Sequence, residues 1–136
     1  MSQRSLFIAI TILVATAIMS AYSAFKNHVQ TSKIRNLPVS VIDMNSINNG
    51  DYEGNFCYSR FCYKVKVTVA ENKISQIEVL NNRRTENAEK ALQIINNIIE
   101  SQSLQVDAIS GATISSKCII KAVENALVTH SNEPAN

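Results

Sequence analysis

The amino-acid sequence predicts an α+β domain: a small antiparallel sheet packed with two helices and preceded by one N-terminal transmembrane helix. Three observations carry this expectation. Leu6–Phe25 is an apolar run with no charge, glycine or proline; the middle of the chain alternates apolar and polar residues with period two; two later stretches repeat with helical period. Strands come first and helices come after them, the order of an α+β domain and not of alternating βαβ units.

Length and charge bound the rest. The chain has 136 residues, room for one domain and little more. Its net charge of +2 argues against a nucleic-acid binder, whose footprint would be a basic stripe far from neutrality. Charge is unevenly spread, with Arg4, Lys26, Lys33 and Arg35 against the lone Asp43 in the N-terminal part and near neutrality afterwards.

The run "LFIAITILVATAIMSAYSAF" matches the roughly 20 apolar residues that a membrane-spanning helix needs. Arg4 before it and Lys26 after it fit an uncleaved anchor or a signal peptide, and the sequence around Ala21, Tyr22 and Ser23 offers small residues at the right offsets for cleavage. The run exceeds the roughly 7–15 residues of a signal core, which favours the anchor. A core helix of a soluble protein would be patterned, whereas this one is apolar all round. Lys26, Lys33 and Arg35 favour a cytoplasmic location for the residues C-terminal to the helix, in conflict with an exported domain. The expected organisation is an anchor or signal over 1–26, a tether over 27–39, a domain over 40–130 and a flexible tail over 131–136.

The tether contains Pro38, admits a short strand around Val39–Asp43, and leads to the turn "NSINNG". After "YEGNFCYS", the segment "FCYKVKVTV" places Tyr63, Val65, Val67 and Val69 on one face and Lys64, Lys66 and Thr68 on the other, a half-buried strand. "ENK" makes a turn, and "ISQIEVL" supplies a third strand with Ile74, Ile77 and Val79. "TENAEKALQIINNIIESQ" then reads as one helix capped by Thr85, with Ala88, Ala91, Leu92, Ile95, Ile98 and Ile99 on its apolar face. A last helix, capped by Ser115 or Ser116, carries Ile119, Ala122, Val123, Ala126 and Leu127 on one stripe.

Just ahead of that last helix stands "DAISGATISSK", with one of only three glycines in the chain. Gly111 permits backbone conformations closed to other residues and lets a ligand approach without a Cβ in the way. The adjoining helix N-terminus offers free N–H groups and the positive end of the dipole, so a phosphate could rest there. No Walker loop and no Gly-x-Ser-x-Gly elbow can be written over these residues. A Ser/Gly turn that merely caps a helix accounts for the same residues.

At these residues the sequence resembles the FMN-binding domain family, found in the sodium-translocating NADH:quinone reductase, in the Rnf complex, and in small membrane-attached electron carriers. The family signature, an Asp followed by Ser/Thr-Gly-Ala-Thr, stands here as Asp107, Ala108, Ile109, Ser110, Gly111, Ala112 and Thr113. "INNGDYEGN", "YKVKVTVAENKISQIEVL" and the segment from Ala88 to Leu127 resemble the rest of the domain, so the likeness covers most of residues 40–130. The stretch "FCYSRFCY" departs from the family, which often has glycines there.

The resemblance implies FMN bound covalently on Thr113 through a phosphoester, placed there by a separate flavin transferase that takes FAD. A threonine hydroxyl is a weak nucleophile by itself, so Thr113 would be the transferase's substrate and not a catalyst. Ser110, Gly111, Ala112 and Ser115 would surround the phosphate. Lys117 would either partner it or remain solvated, and Asp107 would serve recognition by the transferase or order the turn. The implied function is electron relay between membrane redox proteins, on the non-cytoplasmic side of the cell membrane and within a larger redox complex. No catalytic residue is expected, because no paired carboxylates or histidine constellation can be read. The competing reading is a non-catalytic exported interaction or assembly module.

With a two-residue turn at Ser59 and Arg60, Cys57 and Cys62 face each other across a hairpin, so a disulfide and a pair of free thiols both fit. Cys118 reads as a small buried apolar residue. His28 and His130 lie in the tether and tail, away from any metal-ligand pattern.

Overall fold

The computed structural model describes residues 3–82 and 84–131. The chain divides into two compact units, Met1–Lys33 and Ile34–Asn136.

The helix α1 runs over Gln3–Arg35. Every described side chain from Gln3 to Val29 is exposed, including Phe7, Leu13, Met19 and Phe25 at 64–70 %. Its hydroxyls turn inward to the backbone: Thr11, Thr16 and Ser20 donate to the carbonyls of Ile8, Leu13 and Ala17 at 2.8–2.9 Å. Backbone and hydroxyl groups satisfied within one segment are the condition for a helix surrounded by hydrocarbon. The helix is long and apolar enough to cross a membrane.

The second unit is the expected α+β fold. Strands β1 (Gly50–Tyr58), β2 (Phe61–Ala70) and β3 (Lys73–Asn81) form one antiparallel sheet in the order β1-β2-β3. The β1–β2 connection is the two-residue turn at Ser59 and Arg60, with Tyr58 opposite Phe61 and Ser59 at φ 55°. At the β2–β3 connection Glu71 and Asn72 both take positive φ, the hairpin geometry whose twist matches that of the strands. Tyr63, Val65, Val67 and Val69 point to the buried face, as their alternation predicts.

Helices α2 (Glu86–Ala91), α3 (Ile94–Ser101) and α4 (Thr113–Ser131) complete the unit. Thr85 caps α2 by accepting from the Ala88 N–H at 3.2 Å. The single helix expected over this stretch is two, because the Leu92, Gln93 and Ile95 amides bond three residues back and tighten the turn between them. Gln102 ends α3 in the left-handed conformation. Its side-chain amide accepts from Ile74 N at 2.8 Å and donates to Ile74 O at 2.9 Å, pairing with the free edge of β3.

Helix α4 lies across β1 and β2, and Ile119, Ala122, Val123, Ala126 and Leu127 are fully buried in the common core. Gly54 on β1 makes this possible. A Cβ there would strike the carbonyl of Ala122 and the backbone of Ala126, so the helix can sit this close only over a glycine.

The expected tether over 27–39 is replaced by structure. Residues 27–35 are the last turns of α1, and Ile34 is completely buried in the core of the second unit. Beyond it no strand forms around Val39. Instead the Pro38 carbonyl accepts from Lys121 Nζ at 3.1 Å, Val39 O from Gln105 Nε2 at 2.8 Å, and Ser40 N donates to Glu124 Oε1 at 3.2 Å. Leu37, Val39 and Ile42 pack on the core, which offsets the entropy of fixing this segment. The tail expected over 131–136 lies outside the described residues but for Ser131, the last residue of α4.

Candidate functional site

The segment ahead of α4 is built by two local bonds. Ala112 N donates to Ile109 O at 2.9 Å, closing a four-residue turn whose third position is Gly111 at φ +78°. A turn with positive φ at that position favours glycine, since an L side chain there is strained. The completely buried Ser116 then accepts from Ile109 N at 3.2 Å and holds the turn against the helix.

The helix begins earlier than expected. Ser116 N donates to Ala112 O at 2.9 Å, so Ala112 is the cap and Thr113 the first helical residue. Ser115 and Ser116, expected as caps, lie inside the first turn, and their burial at 6 % and 0 % exposure explains why the position is filled by small residues. A helix leaves its first amides without an intrahelical acceptor. Those of Thr113, Ile114 and Ser115 precede the first such bond, at Ser116.

These residues border a cleft of about 310 Å³ lined by Arg35, Asn87, Gly111, Ala112, Thr113, Ile114 and Ser115. Thr113 is half-buried there, while Ser110 and Gly111 are exposed at the turn. Asp107 is exposed and Lys117 half-buried, and neither lines the cleft. Lys90 stands beside it: a Cβ on Gly111 would lie 3.4 Å from Lys90 Nζ. Sequence reasoning missed Arg35, Asn87 and Lys90. Asn87 and Lys90 are three apart on α2 and so share a face, a signal that becomes useful only once α2 is known to pack beside α4.

The donor set suits a phosphate-like anion. Free helix amides, an uncovered glycine backbone and nearby cations favour an anion, and the Thr113 hydroxyl is at the same cleft.

Elsewhere Cys57 and Cys62 are directly opposed across β1 and β2 and joined by a disulfide. They lie on the outer face of the sheet, in line with the ion pairs Lys64–Glu53 at 2.7 Å and Lys66–Asp51 at 2.9 Å. Cys118 is buried inside α4, and burial pushes its thiol up to about 12, which keeps it protonated and inert.

Fold and site together define a small α+β domain with an anion-suited cleft at the start of its last helix. Residues 63–128 match the model of the FMN-binding domain family. The chain is also 32 % identical over 110 residues to an NADH:acrylate oxidoreductase of Vibrio harveyi, an alignment that covers 79 % of this chain and 10 % of that protein. The match thus spans about a tenth of the relative's length.

Proposed function

We propose that the chain is a membrane-attached electron-transfer flavoprotein whose FMN is linked to the Thr113 hydroxyl by a phosphoester bond. The observation that carries this is the placement of Thr113: first residue of α4, at the cleft, directly after the glycine turn, within the segment that matches the FMN-binding domain.

The linkage chemistry balances with FAD as donor and an external flavin transferase as catalyst. The Thr113 oxygen forms a new bond to the flavin-side phosphorus, the phosphoanhydride bond breaks, AMP leaves, and the hydroxyl proton goes to a base on the transferase. Nothing is oxidised or reduced. In the product one negative charge stays on the phosphodiester, where the α4 N-terminus stabilises it by roughly 0.3–1 kcal/mol. Ser110, Gly111, Ala112 and Ser115 shape the surroundings of that phosphate, and Asp107, exposed before the turn, is free to meet the transferase. The bound flavin supplies the redox chemistry, and the chain's own residues hold it and leave it accessible to a donor and an acceptor.

One feature supports attachment to a membrane and another the non-cytoplasmic side. One is α1, long and apolar enough to span. The other is the Cys57–Cys62 disulfide, since such bonds persist in oxidising compartments. This second feature weighs against the charge bias of Lys26, Lys33 and Arg35. The test of covalent attachment is simple: purified protein, unfolded in denaturant and passed through gel filtration, should keep its flavin absorbance, whereas flavin eluting separately contradicts a covalent bond.

A further inference from the structure

Among the described residues, three cations of the second unit pair with carboxylates, and none of these residues lines the cleft. Lys64 pairs with Glu53, Lys66 with Asp51, and Lys121 with Glu124. Two others behave differently. Arg35, at the end of α1, and Lys90, on α2, come to the Gly111 turn from distant parts of the sequence, and among the described residues neither has a carboxylate within ion-pair distance. Glu86 and Glu89, on the same short helix as Lys90, form no ion pair with it. Two cations without an ion-paired carboxylate among the described residues and the N-terminus of a long helix thus meet at one cleft, an arrangement that gains from an anion.

We propose that Arg35 and Lys90 are positioning residues for the phosphoryl group that is transferred to Thr113. This rests on the reading of Thr113 as the attachment point, and it adds a residue, Arg35, from outside the segment that matches the family. Their charge is most useful before and during transfer. The incoming dinucleotide carries a negative charge on each of its two phosphates, one of which departs with AMP, whereas the linked product keeps one. An arginine presents a planar fork to two phosphate oxygens and a lysine a compact point charge, so the pair fixes the group's orientation and offsets its charge. Asn87, three residues before Lys90 and also at the cleft, supplies a neutral donor or acceptor on the same face.

The test uses the full-length chain in detergent, FAD and a purified flavin transferase, with initial rates of Thr113 modification followed by mass spectrometry. The double variant Arg35→Ala, Lys90→Ala should lower kcat/KM for flavin loading at least about tenfold, the usual loss when a charge-assisted contact to phosphate is removed. Arg35→Lys with Lys90→Arg should recover most of it. Rising salt should slow the wild-type chain more than the double variant. Lys73→Ala, which removes a charge at the far β2–β3 turn, should load normally. Thermal unfolding of each variant separates a folding defect from a loading defect. Loading of the well-folded double variant at the wild-type rate, or a loss no greater than that of Lys73→Ala, overturns the proposal and leaves the Thr113 reading standing. A wild-type chain that takes no flavin overturns both.

Discussion

Gly111 is required for two separable reasons, its positive φ and its uncovered face. Gly111→Val should therefore cost about 1–3 kcal/mol of stability through backbone strain, and it should reduce flavin occupancy more than that loss explains, because the branched side chain also obstructs the cleft. Flavin occupancy and thermal unfolding measured on the same preparations check this, and full occupancy in the variant would contradict the steric part. Glu124 belongs to stability instead. Burial alone would raise its carboxyl, but the hydrogen bonds from Lys121 and Ser40 outweigh burial and hold it below the ordinary 4.5 of a glutamate. With the folded value depressed, the stabilisation is complete above the unfolded value and is lost as pH falls below 4.5 through the folded one. Glu124→Gln should flatten the acid limb of a stability-versus-pH curve, and an unchanged acid limb would contradict that role. The seven-residue signature is legible in the sequence because glycine, threonine and the helix beyond them are close along the chain. Arg35 and Lys90 are not, because only tertiary packing brings the end of α1, α2 and α4 to one cleft.

The two hairpins show how much an element can reveal. Period-two alternation in β2, a two-residue turn at Ser59 and Arg60, and the opposition of Cys57 and Cys62 all derive from the strand repeat and all appear in the structure. Helix boundaries are harder to read. Ala112 caps α4 with its backbone carbonyl and has no side-chain signal to mark the start, so the hydroxyls of Ser115 and Ser116 point to a cap three to four residues too far along. The Leu92–Gln93 break is hidden because apolar residues continue through it at helical spacing. Two predictions belong at this scale. Gly54→Ala places a Cβ against the α4 backbone, where no flexible side chain can yield, and should destabilise by at least about 1–3 kcal/mol in chemical denaturation. Replacing Cys57 and Cys62 together by serine opens a small loop and should cost about 2 kcal/mol, read as a lower denaturation midpoint in the absence of reductant.

At the scale of the whole molecule, the apolar helix is plain from composition, whereas the segment after it carries no readable signal. Leu37, Val39 and Ile42 are spaced too irregularly to show a period, yet they pack on the core, and the backbone of Pro38, Val39 and Ser40 between them is fastened to Lys121, Gln105 and Glu124. Leu37, Pro38 and Val39, expected to end a flexible tether, are thus fastened to the domain. The domain is expected outside the cytoplasm with α1 retained. A C-terminal tag should then be digested when protease is added to intact cells or spheroplasts, and a protected tag would contradict that topology. The central claim, however, is chemical: one hydroxyl at the start of α4 carries the flavin. Peptide mapping of the purified, denatured chain by mass spectrometry tests it most directly. An FMN increment is predicted on the peptide containing Thr113, with fragmentation locating it on that residue and the increment absent from a folded Thr113→Val chain. An unmodified Thr113 peptide, or an increment on Ser110, Ser115 or Ser116, would contradict it.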